Sequence, residues 1–327
     1  MKRFEMIQIL VYSFVLGMGN WSFSQQPEPI KIFVLAGQSN MEGQAVVDLS
    51  GTSYNQGKGT LLWLLTKEEH KPKISHLLSE DGRGKPRRDV WVRYQRENQP
   101  LLVGPLDFGF SVYGDRHHFG PELQFGHVVG DAFDSPVLIV KTAWGGKSLY
   151  KDFRPPSSGG ETGKYYHLMI AQVRDAIANY QTEVAEWKGR DYRLSGFVWY
   201  QGWNDGVDPE KAIPEYEQNL LHLIADVRRE FKQPNLPFVI GELTGPWRDA
   251  PQEWEKLRKA QAAVALTDEL TNWVAFVPTR DFVRSADESP NPTHGHHEFG
   301  NAETYFLVGE ALGKKMVELV KSPRHQE

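Results

Sequence analysis

The run Lys31-Ile32-Phe33-Val34-Leu35 passes almost directly into Gly37-Gln38-Ser39-Asn40-Met41. A short apolar stretch rich in β-branched and aromatic residues, followed at once by glycine and small polar residues, reads as a buried strand ending in a tight turn. Ser39 then sits where a strand ends and a helix begins. Its hydroxyl is expected at the carboxyl edge of a sheet, with backbone N–H groups and a helix N-terminus around it. In isolation the same turn reads as a helix cap, so the rest of the chain must decide.

Four more apolar runs follow the first, Ile30 to Leu35: Val137 to Thr142, Leu194 to Tyr200, Pro237 to Ile240 and Asn272 to Val277. They alternate with helical patterns, which predicts a parallel five-stranded sheet covered by helices on both faces. From Pro209 to Phe231, Tyr216, Leu220, Leu223, Ile224 and Val227 recur at three- and four-residue steps. The last helix is capped by Asn301 and carries Tyr305, Val308, Leu312, Met316 and Leu319 on one stripe. Phe119-Gly120-Pro121-Glu122-Leu123 opens another helix, with proline in its first turn. Residues 44–118 have few periodic segments and many Gly, Arg, Pro and aromatic residues, and read as an insertion beside the active edge. With no repeat and no linker, residues 25–327 form one α/β domain, its tail from Ser322 to Glu327 frayed.

The 327 residues are 40% hydrophobic and 24% charged, ordinary for a globular enzyme with a full core. Lys2 and Arg3, an apolar centre from Ile7 to Met18, and Ser22-Phe23-Ser24 form a leader of residues 1–24, too short to span a bilayer comfortably. A secreted or periplasmic location without a stable membrane anchor is expected. The chain has no cysteine, so disulfides, thiolate ligands, a cysteine nucleophile and a lipidated cysteine are all excluded. A formal net charge of −5 argues against nucleic acid; the basic stretch Arg83 to Arg88 reads as a solvated loop.

Acyl transfer needs a nucleophile, a base, and donors where negative charge develops on the carbonyl oxygen. Ser39 supplies the hydroxyl and, through its own N–H, one donor. Ala143-Trp144-Gly145-Gly146 follows a strand and supplies a second donor at Gly145 or Gly146, where glycine permits close approach. Gly202-Trp203-Asn204-Asp205 follows the next strand, and the Asn204 amide is a third. The loop after the last strand holds His294, His296 and His297, the candidate bases. All of these loops leave carboxyl ends of strands, the edge where ligands bind in open α/β sheets.

These blocks resemble the SGNH hydrolase superfamily, in its sialate O-acetylesterase-like group of carbohydrate esterases. The matches are Gly37 to Met41, Ala143 to Gly146, Gly202 to Asp205, and His297 with Gly300-Asn301-Ala302-Glu303 behind it, within a resemblance running from about residue 30 to about residue 320. It implies a flavodoxin-like three-layer α/β/α sandwich, a Ser-His mechanism without metal or cofactor, and an acetylated carbohydrate as substrate. Ser39 is then the nucleophile, His297 the base, and Gly146 and Asn204 oxyanion donors. Two departures stand out: many relatives carry aspartate three residues before the histidine, where this chain has His294, and some carry glutamate where it has Trp203. Asp281, Asp287, Glu288 or a backbone carbonyl are the candidates to orient the imidazole.

Other readings compete at single positions. Asn204-Asp205 alone is an ordinary turn. The histidines with nearby carboxylates suit a metal, although surface positions for His294 and His296 are favoured, with His296 the reserve base. Trp199, inside a strand, belongs to the core, whereas Trp144 and Trp203 are expected as pocket walls. Glu122 receives no role. A sugar-binding protein on a decayed esterase scaffold, or a lipid or thioester hydrolase of the same superfamily, are the alternative functions.

Overall fold

The computed structural model describes residues 28–245, 252–268, 270 and 272–322; the leader at 1–24 and tail residues 323–327 lie outside them. Seven strands form the main sheet: β1 (Ile30–Gly37), β3 (Arg87–Gln95), β4 (Leu101–Leu106), β6 (Val137–Ala143), β7 (Tyr192–Tyr200), β8 (Phe238–Gly241) and β9 (Val274–Val277). A separate antiparallel ribbon pairs β2 (Ala45–Val46) with β5 (His118–Phe119). The sheet order is β4-β3-β6-β1-β7-β8-β9. Every pairing is parallel except that of β3 with β4.

The five strands expected from sequence are β6-β1-β7-β8-β9, whose sequential order is the flavodoxin-like 2-1-3-4-5. The sheet nevertheless has seven strands rather than five, because residues 44–118 contribute β3 and β4 to its edge. Val90, Val92 and Tyr94 point from β3 into the core, and Arg93 on its other face is buried by ion pairs to Asp175 and Glu183. A charged face hidden in this way has no apolar signature. Pro105 is tolerated on β4 because β4 is an edge strand.

Strand alternation sends Ile30, Ile32, Val34 and Ala36 of β1 into one apolar layer, with α5 (Lys164–Glu183), α7 (Ala212–Glu230) and α8 (Gln252–Ala265). Phe33 and Leu35 enter the opposite layer, with α4 (Glu122–Ala132) and α9 (Ala302–Lys321) and the short helices α2 (Leu61–Leu65) and α3 (Lys71–Ile74). Two single-turn helices, α1 (Ser39–Glu42) and α6 (Trp203–Gly206), follow β1 and β7. The Asn301 side chain caps α9 by accepting from the N–H groups of Glu303 and Thr304. Tyr305, Val308, Leu312 and Met316 are buried, and Leu319 is half-buried in the last turn. Among the described residues no helix is long and apolar enough to cross a membrane.

Register aligns the functional loops. Gly37 at the end of β1 pairs with Ala143 of β6 on one side and Tyr200 of β7 on the other. Glycine is required there, because a Cβ would lie 2.1 Å from the Tyr200 carbonyl oxygen. The chains after β1, β6 and β7 therefore leave one rung of the sheet together.

Beneath that rung lies a fully buried ion pair, Lys141 of β6 with Glu122 of α4, at 2.6 Å. The ammonium also donates to the Glu42 carbonyl oxygen at 2.7 Å and to the Phe110 carbonyl oxygen, so all three of its protons have acceptors. Glu122 in turn accepts the Gly120 N–H at 2.8 Å. One side chain thus ties the sheet to α1, α4 and the loop around Phe110. Removing one partner of such a pair leaves a buried uncompensated charge. Lys141→Met is therefore expected to cost about 3–5 kcal/mol in a denaturant titration, and a loss below about 1 kcal/mol, the value of an exposed pair, would contradict this account.

Candidate active site

Four sequence blocks converge on one cavity of about 500 Å³, lined by Gln38, Ser39, Glu42, Gln44, Val112, Tyr113, Gly145, Gly146, Trp203, Asn204, Val207, His296 and His297. Ser39 opens α1 directly after the rung at Gly37 and is 8% exposed. As the first residue of a helix, its N–H has no intrahelical acceptor.

Gln38, a buried neighbour of Ser39, orients Asn204, the third candidate donor. Its amide oxygen accepts the Gly202 N–H at 3.0 Å, and its amide nitrogen donates to the Asn204 oxygen at 3.4 Å. The first bond fixes which way the Gln38 amide faces; the second occupies the Asn204 oxygen and leaves the Asn204 NH2 as donor to the cavity. Asp205, the last residue of that block, is structural. Fully buried, it accepts the N–H groups of Leu149 and Tyr150 at 2.9 Å each and the Gln201 amide at 2.6 Å. Burial pushes its carboxyl up to about 6. It binds the loop after β7 to the loop after β6.

The glycine loop is held from the other side by Glu42, the last residue of α1. Its carboxyl accepts the Tyr94 hydroxyl at 3.0 Å and the Gly145 N–H, while burial pushes its pKa up. The Gly145 N–H being engaged by Glu42, the candidate oxyanion donor in this loop is Gly146, whose φ of +70° suits glycine. Trp144 is not a pocket wall as expected: it is 2% exposed and packs on Phe153 and Tyr165. It directly follows the last strand residue and still faces the α5 layer; the chain turns toward the cavity only at Gly145. Trp203 does line the cavity, edge-on to Trp254 at 5.0 Å, and Trp199 is fully buried.

The histidine loop is clamped to the Ser39 turn by Asn40. Its nitrogen donates to Glu298 at 3.2 Å, and its oxygen accepts the Tyr305 hydroxyl at 2.8 Å, which also lies 3.2 Å from the His297 carbonyl oxygen. Glu298 and Phe299 have φ of +50° and +54°, a left-handed turn that non-glycine residues adopt at a cost. Burial pushes the Glu298 carboxyl up to about 7, against hydrogen bonds from Thr244 and Gly245. Gln38, Asn40, Glu42 and Glu298 were not singled out from sequence. Two of them lie within the serine block and Glu42 directly follows it, so only their partners, distant in sequence, disclose what they do.

His294 and His296 are exposed and His297 is half-buried. The imidazoles of His296 and His297 lie 4.0 Å apart, and His296 packs on Trp203 at 6.0 Å. Asp287 and Glu288 are exposed and both engage Ser285 rather than a histidine; Asp281 is exposed on the short helix Arg280–Phe282. Among the described residues no group of three or more His, Asp or Glu is placed to hold a metal ion.

Burial, with the neighbouring His296 and His294 adding to it, pulls the His297 imidazole down to about 4. The unfolded chain, with an ordinary value near 6.5, binds the extra proton first, so stability falls as the pH drops from 6.5 toward 4. Above that window the imidazole is neutral and able to accept a proton. The acid limb of kcat/KM is accordingly expected near pH 4; a limb at about 6.5 would show a solvated imidazole in the working protein.

The family model for carbohydrate esterase, sialic acid-specific acetylesterase, matches residues 29–308. A probable carbohydrate esterase of Arabidopsis thaliana is 26% identical over 217 residues, 64% of this chain and 68% of that protein. A crystal structure of an Arabidopsis thaliana protein superposes with a TM-score of 0.56 at 17% identity, covering 89% of this chain and 99% of the other. A carbohydrate acetylesterase from Xanthomonas citri gives a TM-score of 0.49 at 15% identity, over 87% of this chain and 56% of that one. The likeness to the Arabidopsis structure bears on the fold, whereas the family match runs from β1 into α9 and takes in every block that lines the cavity. The chain belongs to the carbohydrate esterase, sialic acid-specific acetylesterase family, and is a carboxylic ester hydrolase.

Proposed function

We propose that the protein is an exported carbohydrate O-acetylesterase that works through an acetyl-enzyme. The observation that carries this reading is the convergence of Ser39, Gly146, Asn204 and His297 on one cavity at the carboxyl edge of the sheet. Ser39 Oγ attacks the acetyl carbonyl carbon as its proton passes to His297. The resulting oxyanion is held by the N–H groups of Ser39 and Gly146 and by the Asn204 amide. Collapse breaks the bond to the sugar oxygen, which leaves with the proton from His297, and acetate stays esterified to Ser39. Water then attacks as His297 takes its proton. A second oxyanion forms in the same place, and its collapse releases acetate and restores the serine hydroxyl.

The test is acetate release from small acetate esters and acetylated glycans. Ser39→Ala is expected to remove nearly all turnover, and Asn204→Ala to lower kcat roughly 10²- to 10³-fold. Gln38→Leu, which frees the Asn204 amide to turn, is expected to lower kcat in the same direction and to add little on top of Asn204→Ala, since the two act as a unit. Undiminished turnover in Asn204→Ala would remove it from the mechanism. A folded protein that binds glycan yet releases no acetate would instead be a binding protein on this scaffold.

Export rests on the leader at residues 1–24, and N-terminal sequencing of protein made in its native host is expected to begin at Gln25. A protein that retains Met1 would refute cleavage.

A further inference from the structure

Tyr113 is anomalous. It comes from the stretch 44–118, lines the cavity with Ser39 and His297, and is 51% exposed. A large aromatic surface left in water is unfavourable, and a mobile loop would be the simple explanation, but this ring is held. Its hydroxyl donates to the Gln44 amide oxygen at 2.9 Å. Its ring centroid is 4.0 Å from that of His118, with the planes 32° apart, and His118 is itself held by Asp115 at 2.7 Å. The preceding backbone is pinned as well: the Val112 carbonyl oxygen accepts from Arg96 at 3.2 Å, and the Phe110 carbonyl oxygen accepts from buried Lys141. An aromatic ring with its tip bonded, a neighbouring ring packed on it, and half its surface still open to solvent beside a cavity is a preorganised contact surface. A second exposed apolar side chain, Val207 at 63%, lines the same cavity from the loop after α6.

The polar composition of the cavity narrows what would cover these groups. Glu42 carries the one formal charge among the described lining residues apart from the histidines, and none of those residues is Lys or Arg. Lys147, beside the glycine loop, lies over the Tyr165 ring instead. Among the described lining residues a carboxylate on the substrate would meet no cation, and it would face Glu42. The C–H face of a pyranose, by contrast, is apolar and carries slight positive charge, which matches the negative face of a tyrosine ring.

We propose that Tyr113 is the platform of a sugar subsite, on which the pyranose ring of an uncharged acetylated sugar stacks while its ester enters the cavity beside Ser39. The inference rests on the esterase reading above and adds to it the residue that selects the sugar and the class of sugar selected.

The test compares kcat/KM for an acetylated methyl xylopyranoside, an O-acetylated sialate and the ringless ester methyl acetate, in the parent protein, Tyr113→Ala and Tyr113→Phe. The ratio of kcat/KM for the xylopyranoside to that for methyl acetate is expected to fall about tenfold in Tyr113→Ala, mainly through KM, and much less in Tyr113→Phe, which keeps the ring. The parent is expected to prefer the xylopyranoside to the sialate. An unchanged ratio in Tyr113→Ala, or a preference for the sialate, overturns the proposal. Ser39-dependent hydrolysis of methyl acetate checks the esterase reading separately. Should that reading fail, calorimetric binding of the acetylated xylopyranoside to Ser39→Ala, with and without Tyr113→Ala, still decides the subsite: weaker binding without the ring supports it, and equal binding overturns it.

Discussion

A Cβ on Gly37 would lie 2.1 Å from the Tyr200 carbonyl oxygen, and this close approach of two backbones is the constraint from which the site follows. It lets β1 run flush between β6 and β7 to their last paired residues, so that Ser39, Gly146 and Asn204 leave from one rung. In the 2-1-3-4-5 order the pairing of β1 with β7 is also the point where the strand order reverses, and the connections part to opposite faces there. The cavity occupies the crevice that this parting opens.

What the backbone places, buried polar groups then orient. Gln38 turns Asn204, Glu42 occupies the Gly145 N–H, Asp205 binds the loops after β6 and β7, and Asn40 holds the His297 loop. Each of these groups is buried, and a buried polar group without a partner is costly, so each has few orientations open to it. The segment from Gln38 to Glu42 is therefore more than a turn that presents a hydroxyl. Four polar or acidic side chains among five residues, Gln38, Ser39, Asn40 and Glu42 around Met41, reach in different directions: Gln38, Asn40 and Glu42 each to a neighbouring loop and Ser39 to the cavity.

Fold and chemistry also divide the chain. The loops that follow the five strands in flavodoxin-like order carry Ser39, Gly146, Asn204 and His297, while residues 44–118 add two strands at one side of the sheet and bring Gln44 and Tyr113 to the rim. Lys141 joins the two parts, since its buried ammonium reaches Glu122 and the carbonyl oxygens of Glu42 and Phe110 at once. The rim is thereby anchored to the same sheet as Ser39, which is how the loop between β4 and β5 keeps an exposed ring in place.

The sequence by itself determined the five central strands, the capped last helix and the four blocks that meet at the cavity. Alternating apolar residues and local turn chemistry are recorded in neighbouring positions, and strand order follows from connection rules. It did not disclose β3, because Arg93 hides in ion pairs with Asp175 and Glu183 more than 80 positions away. Nor did it tell Trp144 from Trp203: both sit at strand ends beside glycine, and one residue of register decides which faces the core. The choice between Gly145 and Gly146, the roles of Gln38, Glu42 and Glu298, and the exposure of Tyr113 belonged to the tertiary structure alone. Each depends on a partner brought near only by folding, and a buried hydrogen bond between distant side chains leaves no periodic trace in the chain.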